Sequence, residues 1–117
     1  MNILAVDIGG TNSRFARFRA SDAGELIRVN GFWLKTHSAL SFEDLMDRAL
    51  ERDELAVNTG WDAVVFAVPG VVEDRTRAKL ANVPWAVDIS GLKARSPKTR
   101  TFLVNDFVAQ AFACPIV

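Results

Sequence analysis

The first residues that could do chemistry follow a short apolar run near the amino terminus, where an acid precedes two glycines and two polar residues: Asp7, Gly9, Gly10, Thr11 and Asn12. Adjacent glycines let a backbone approach a ligand closely and direct amide groups at it. Thr11 and Asn12 add side-chain donors. Asp7 could hold Mg²⁺ through water, because Mg²⁺ takes few carboxylates and keeps most of its waters. The same residues could instead form an ordinary hairpin turn in which Asp7 accepts backbone hydrogen bonds.

This segment matches neither of two common nucleotide-binding signatures. The sequence contains no G-x-x-x-x-G-K-[ST] pattern, which excludes a P-loop. Gly9 and Gly10 are adjacent and no third glycine follows at the required spacing, which excludes a dinucleotide-binding fingerprint. A phosphate contact here would therefore need a different kind of loop.

A second polar pair, Asn105 and Asp106, follows a short apolar run and precedes a segment with helical character. Asp106 could act as a general base, and Asn105 could orient a substrate hydroxyl. Alternatively, one of the two residues simply caps the helix. Ligand clefts in open α/β sheets lie outside the carboxyl ends of the strands, so two polar clusters at two such ends predict a shared cleft.

Two further segments could contribute to that cleft. Pro69 and Gly70 end the apolar run over residues 61–68 and could provide a backbone wall. Asn82 and Trp85 could place an amide and an indole near a sugar, or they could form a turn that the Trp side chain anchors.

The elements that must position these residues follow from the hydrophobic pattern. Three apolar runs separated by short turns predict antiparallel strands, over residues 2–7, 14–19 and 26–34. Gly31 weakens the third strand or marks a bulge. Apolar residues at helical spacing predict an amphipathic helix over residues 41–56. Ser41 and Asp44 form a capping-box pattern at its start.

The second half of the chain predicts helix-connected strands. Its elements are a buried strand, an irregular charged excursion with a short helix, another strand and a final helix, over residues 61–68, 71–100, 89–95, 101–104 and 107–113 respectively. Hairpins followed by such strands predict an α/β fold with a mixed five-stranded sheet, whose first three strands are antiparallel, and with flanking helices. This is the strand order of a ribonuclease-H-like domain.

Composition excludes several classes of protein. The chain has 117 residues, half of them hydrophobic, which is enough for one domain with a real core and argues against intrinsic disorder. Its 14 basic and 14 acidic residues balance, which argues against a nucleic-acid partner. A single cysteine excludes an internal disulfide framework and most cysteine-based metal sites. With no targeting signal and no long apolar run, we expect a cytoplasmic protein without a membrane partner.

With these clusters assembled, the sequence resembles the bacterial glucokinase family, within the superfamily of sugar kinases and actin-like ATPases. The matching segments are LAVDIGGTNSRFA, AVPG, ANVPWAVD and LVNDFVAQA, over residues 4–16, 67–70, 81–88 and 103–111. The similarity spans essentially the whole chain. Sugar kinases with a cysteine-rich zinc motif share the D-x-G-G-T element, but this chain lacks that motif.

The resemblance implies a role for each cluster. The loop over residues 9–12 resembles a first phosphate-binding loop that serves Mg²⁺-ATP, with Asp7 facing the metal. Asp106 resembles the base that accepts the proton of the 6-hydroxyl of glucose or a similar hexose. Asn105 resembles a ligand of the sugar hydroxyls, and the segment with Asn82 and Trp85 flanks the sugar pocket. The Pro69 and Gly70 backbone lies in the loop that faces the sugar.

The resemblance also implies that the chain is the amino-terminal lobe of a bilobal kinase. The second phosphate loop, the adenosine pocket and further sugar ligands would lie beyond Val117. We therefore expect little kinase activity from this chain alone, and self-association through an apolar face that the rest of the protein would cover. A non-catalytic sugar-sensing or regulatory lobe, and a related kinase with another acceptor, are the alternatives.

Overall fold

The computed structural model describes residues 1–55 and 60–106. These residues form eight strands and two α-helices: β1 (Asn2–Ile8), β2 (Asn12–Ala20), β3 (Leu26–Lys35), α1 (Phe42–Leu50), β4 (Ala63–Val68), β5 (Val72–Glu73), β6 (Arg77–Lys79), β7 (Ala86–Asp88), α2 (Ser90–Arg95) and β8 (Arg100–Asn105). Short 3₁₀ turns lie over Thr36–Ser38 and Asp53–Leu55. No helix in these two ranges is long and apolar enough to cross a membrane. The helix predicted over residues 107–113 lies outside the described residues.

Five of the strands form a mixed sheet in the order β3-β2-β1-β4-β8. β2 pairs antiparallel with both β1 and β3, whereas β4 pairs parallel with both β1 and β8. Parallel neighbours need a crossover connection. α1 lies in the connection from β3 to β4, and α2 lies in the connection from β4 to β8. The predicted fold class, including the three antiparallel strands at the start, is confirmed.

One face of this sheet carries the hydrophobic core. Successive side chains of a strand alternate between the two faces, and Val6 and Ile8 of β1 are buried together with Phe66 of β4. α1 covers this face, and Phe42 packs edge-on against Phe66 with ring centroids 5.3 Å apart. Burying such a side chain contributes roughly 1.5–3 kcal/mol. Because Val6 and Ile8 are fixed in the core, Asp7 between them must point to the opposite face.

α1 begins where the sequence predicts and ends earlier. Ser41 is the N-cap, and its side chain accepts a hydrogen bond of 3.0 Å from the backbone N–H of Asp44. The predicted end at residue 56 is wrong, since the helix stops at Leu50. If the helix continued to residue 55, Leu55 would lie on the side opposite to the buried residues of α1, which are Phe42, Leu45, Met46 and Ala49. The 3₁₀ turn over Asp53–Leu55 instead buries Leu55 in the core.

The prediction of an irregular excursion over residues 71–100 is wrong in part. β5, β6 and β7 form a second, three-stranded antiparallel sheet, and α2 confirms the short helix predicted there. Strands of two or three residues are too short to show the alternation that identifies a strand in a sequence. The tight β5–β6 turn has Asp74 and Arg75 at positive φ, 51° and 62°.

The bulge in the third strand lies two residues before Gly31. Phe18 of β2 pairs with Arg28 and Arg17 pairs with Asn30, so Val29 is the extra residue. Gly31 itself pairs regularly with Ala16. The sequence therefore predicted an irregularity in the correct strand but at the wrong residue.

The second face of the five-stranded sheet is not covered by any described element. We call it the open face; it carries the side chains of Ala5, Ala16, Phe18, Trp33, Val65, Ala67 and Phe102, with Asp7, Arg14 and Arg28 among them. A shallow hollow of about 480 Å³ lies on it. Trp33 on edge strand β3 and Phe102 on edge strand β8 remain 57% and 47% exposed.

Candidate active site

The register of the parallel strands brings the two predicted polar clusters to one edge of the sheet. Asp7 of β1 pairs with Ala67 of β4, and Ala67 pairs with Val104 of β8. Neighbouring strands lie about 4.8 Å apart, so the backbones of residues 7 and 104 are roughly 10 Å apart. Asp106 follows immediately beyond the end of β8, at the same edge. The carboxyl ends of β1, β4 and β8 therefore lie side by side at this edge.

The pKa of Asp7 depends on Asp106 as well as on its own surroundings. Partial burial raises the pKa of Asp7, the Arg14 guanidinium lowers it, and the negative charge of Asp106 raises it. Arg14 is the cross-strand partner of Asp7 on β2. The side chain of Asp7 still reaches solvent. The negative charge of Asp106, almost a hundred positions away in the sequence, thus acts on Asp7.

Asp106 has an acceptor atom without a partner. Its Oδ1 is buried and accepts no hydrogen bond from the described residues. Leaving a buried acceptor unpaired costs about 1–3 kcal/mol, so such atoms call for an explanation. A ligand hydroxyl that donates a hydrogen bond to this oxygen would be one explanation. The helix that Asp106 could cap lies outside the described residues, so that alternative stays open.

The β4–β5 turn holds the side chain of Asn105. Asn105 Nδ2 donates a hydrogen bond of 2.7 Å to the carbonyl oxygen of Gly70. A Cβ on Gly70 would lie 2.6 Å from the carbonyl oxygen of Lys79, so only glycine allows this close approach to β6. Pro69 precedes it and is exposed. The predicted backbone wall therefore lies directly beside Asn105.

The Gly-Gly segment is the tight hairpin connection between β1 and β2. The backbone N–H of Gly9 donates to the carbonyl of Asn12 at 3.0 Å, and a Cβ on Gly9 would lie 2.9 Å from that oxygen. A Cβ on Gly10 would meet nothing within 4 Å. Thr11 and Asn12 are exposed. A hydrogen bond between Gly9 and Asn12 therefore closes the loop, whereas Gly10 has open space beside it and Thr11 is exposed.

The sequence profile described as Glucokinase matches residues 4–117. The chain belongs to the glucokinase family. It is 35% identical over 118 residues to a glucokinase of Stenotrophomonas maltophilia strain K279a, covering 98% of this chain and 33% of that one. It is 31% identical over 116 residues to a glucokinase of Xanthomonas oryzae pv. oryzae strain MAFF 311018, with the same coverage. The chain therefore spans about a third of the length of the curated glucokinases it matches.

Solved structures agree with this membership. A glucokinase from an Antarctic psychrotroph superposes with a TM-score of 0.79 at 27% identity, covering 99% of this chain and 35% of that one. A glucokinase from Balamuthia mandrillaris in complex with glucose superposes with a TM-score of 0.58 at 23% identity, covering 95% of this chain and 31% of that one. The second likeness is one of fold alone.

The structure does not bring every predicted residue of this glucokinase-family chain to this edge of the sheet. Trp85 Nε1 donates to the carbonyl oxygen of Ala39 at 3.2 Å, so the indole anchors the β6–β7 connection to the start of α1. Asn82 is exposed on that connection, and no hydrogen bond joins it to Asn105 or Asp106 within the described ranges. The sugar-facing role of Asn82 stays a prediction.

The acidic side chains at this edge of the sheet suit a metal ion that needs few protein ligands. No group of three His, Cys, Asp or Glu side chains among residues 1–55 and 60–106 could hold a metal ion by itself. Mg²⁺ binds through one or two carboxylates, with waters and substrate phosphates completing its shell. Asp7, accessible and beside the Gly-Gly loop of this glucokinase-family chain, fits that requirement.

Sequence reasoning missed three residues around the site. Arg14, which lowers the pKa of Asp7, is one of three arginines, with Arg17 and Arg19, that look like ordinary polar residues of a strand. Ser13 and Thr36 are completely buried behind the Gly-Gly loop and are hydrogen-bonded to each other at 2.7 Å. They lie 23 positions apart, and no spacing rule links them. Only the pairing of β2 with β3 brings them together.

Proposed function

We propose that this chain is the amino-terminal lobe of a kinase that transfers the terminal phosphoryl group of ATP to the 6-hydroxyl of glucose or a similar hexose. The observation that carries the proposal is the convergence of Asp7 and Asp106 at the carboxyl ends of β1 and β8. Membership of the glucokinase family supports it. The other lobe, with the adenosine pocket and a second phosphate loop, belongs to the remaining length that the relatives have.

Asp106 is the proposed base. Its unpartnered Oδ1 would accept the hydrogen bond of the sugar 6-hydroxyl and then its proton, as the hydroxyl oxygen bonds to the terminal phosphorus of ATP and the bond from that phosphorus to the ADP oxygen breaks. A positioned base typically contributes about 10²–10⁴ in rate. Asn105, held by the Gly70 carbonyl, would orient the sugar so that this hydroxyl faces Asp106. Pro69 and Asn82 would border the same sugar.

The Gly-Gly loop and Asp7 are proposed to serve Mg²⁺-ATP. Phosphoryl transfer asks mainly for positioning and charge neutralisation. The open space at Gly10 would admit a phosphate group against the loop backbone, and Thr11 and Asn12 would add side-chain donors. Asp7 would hold the ion through water, and the ion when bound neutralises phosphate charge. Arg14 favours the ionised form of Asp7, which metal binding requires.

The test is Asp106→Asn in the full-length protein. We expect kcat for ATP-dependent glucose phosphorylation to fall by roughly 10²–10⁴, with glucose affinity changed little, because the amide cannot accept the proton. Asp22→Asn makes the same chemical change in an exposed turn and should leave kcat unchanged. An Asp106→Asn enzyme that turns over at the wild-type rate would overturn the assignment.

Activity of the 117-residue chain separates this proposal from its alternatives. We expect little or no turnover from it in a coupled assay, since half of the phosphate-binding machinery would be missing. A full-length protein that binds glucose without phosphorylating it would instead be a sensing or regulatory module. A full-length enzyme that prefers another acceptor in a sugar panel would be a related kinase.

A further inference from the structure

A chain of buried hydroxyl groups lies directly behind the Gly-Gly loop. Thr36 Oγ1 donates a hydrogen bond of 2.8 Å to the carbonyl oxygen of Gly9. Ser13 Oγ lies 2.7 Å from the same Thr36 oxygen. Both hydroxyl residues are fully buried, at 0% exposure. Such polar groups are retained in a core only where their hydrogen bonds are made.

The direction of these bonds follows from counting protons. A hydroxyl has one proton to donate and two lone pairs that accept. Thr36 uses its proton on the Gly9 carbonyl, so Ser13 must donate to Thr36. Each bond in the series therefore polarises the next, which strengthens the pull on the loop carbonyl.

The backbone of Thr36 holds the other side of the loop. Its N–H donates to the carbonyl oxygen of Thr11 at 2.9 Å. Thr36 thus binds the carbonyls of two loop residues, one through its side chain and one through its main chain. In a planar trans peptide the C=O and the following N–H point in opposite directions. Because the Gly9 carbonyl points at the fully buried Thr36 hydroxyl, the N–H of Gly10 must point away from the core.

We propose that Thr36, supported by Ser13, is a positioning residue that fixes the Gly-Gly loop so that the outward amide of Gly10 meets a phosphate group of the nucleotide. The inference rests on the proposed function for the identity of the ligand. It assigns neither residue a contact with substrate. Preorganised donors stabilise charge without having to rearrange during the reaction.

Three variants of the full-length protein test the proposal by kinetics. Thr36→Val keeps the side-chain shape and the backbone N–H but leaves the Gly9 carbonyl unpaired, whereas Thr36→Ser keeps the hydroxyl. Thr101→Val is the control, because it makes the same change at another buried position, in β8. Thr101 lies three residues before Val104, the residue of β8 that is aligned with Asp7 across β4. We expect Thr36→Val to raise KM for ATP about tenfold with KM for glucose within twofold. Thr36→Ser and Thr101→Val should stay near wild type in both.

A Thr36→Val enzyme whose KM for ATP matches that of Thr101→Val would overturn the proposal. Equal increases in both KM values would do the same, because they would indicate general damage to the fold rather than a displaced phosphate loop. Retention of wild-type kinetics by Thr36→Ser is required as well, since the argument concerns the hydroxyl.

Amide hydrogen exchange on the unliganded 117-residue chain keeps this test separate from the proposed function. The N–H groups of Gly9 and Thr36 are bonded within and beside the loop, and both should exchange about tenfold faster in Thr36→Val than in Thr101→Val. Equal exchange rates would remove the positioning role. If the wild-type protein bound no nucleotide while this exchange difference held, the proposed function would be wrong, but the role of Thr36 in fixing the Gly-Gly loop would be supported.

Discussion

At the scale of single residues, the two adjacent glycines have different reasons to be glycine. Gly9 has no room for a side chain, because a Cβ would lie 2.9 Å from the backbone oxygen of Asn12. Gly10 has open space around it. The first glycine is therefore a requirement of the hairpin, whereas nothing within the described fold demands the second. A ligand that must approach the loop closely would demand it.

Alanine variants separate these two reasons. We expect Gly9→Ala to lower the free energy of unfolding by roughly 1–3 kcal/mol, because backbone must shift to relieve the contact. Gly10→Ala should change it by less than about 0.5 kcal/mol yet weaken Mg²⁺-ATP binding, since its methyl group occupies the approach to the loop. Urea unfolding and nucleotide titration measure the two effects. Unchanged nucleotide affinity in Gly10→Ala would contradict the phosphate role.

The titration of Asp7 tests the convergence of the two carboxylates directly. Its pKa is raised by burial, lowered by Arg14 and raised by Asp106. We expect Asp106→Asn to lower the pKa of Asp7 and Arg14→Ala to raise it further. Arg19→Ala, on the same strand but away from Asp7, is the matched control and should leave it unchanged. Carboxyl ¹³C shifts across a pH titration measure each pKa, and an Asp7 that ignores Asp106→Asn would refute the shared cleft.

The sign of the accompanying stability change follows from the same shift. The folded state binds the Asp7 proton more tightly than the unfolded state, where the pKa is about 3.9. The contribution of Asp7 to the free energy of unfolding is therefore greatest below that pH and is lost as pH rises through the raised pKa. Metal binding has the opposite dependence, because it requires the ionised carboxylate.

At the scale of elements, the sequence predicts what has strong local pattern and misses what depends on partners. The three amino-terminal strands are apolar runs of seven to ten residues separated by turns, and Ser41 with Asp44 marks the start of α1, so both were predictable. β5, β6 and β7 have only two or three residues each, which is too few to show the alternation that identifies a strand in a sequence. The adjacency of the two polar segments was predictable because parallel strands bring their carboxyl ends together, whereas the Ser13–Thr36 pair arises only from tertiary pairing.

The β5–β6 turn offers a stability prediction at this scale. Both central residues, Asp74 and Arg75, have positive φ, which hairpin turns usually provide with Asn-Gly or Asp-Gly. Arg75→Gly should raise the free energy of unfolding by about 0.5–1 kcal/mol, because a side chain in this conformation is strained. Lys93→Gly in the exposed middle of α2 should lower it by about 1 kcal/mol. Calorimetry compares the two, and a destabilised Arg75→Gly chain would contradict the turn geometry.

At the scale of the whole molecule, the sheet is covered by described elements on one face only. The core face packs against α1, while the open face presents apolar side chains from edge strand β3 across to edge strand β8. Trp33 and Phe102 are among the most exposed aromatics and lie at opposite sides of that face. Asp7, Arg14 and Arg28 interrupt this surface, but exposed apolar side chains of this kind still promote association. In solutions of the 117-residue chain, the available partner of matching chemistry is a second copy.

We therefore expect the 117-residue chain to self-associate through the open face, with its sedimentation coefficient rising with protein concentration. Phe102→Glu should shift the chain towards monomer, because pairing would then bury an uncompensated charge in an apolar contact. Leu40→Glu is the matched control, since Leu40 is 86% exposed but precedes α1 on the other side of the sheet, and it should leave association unchanged. A chain that sediments as a monomer at every concentration, or that responds equally to both substitutions, would contradict association through the open face.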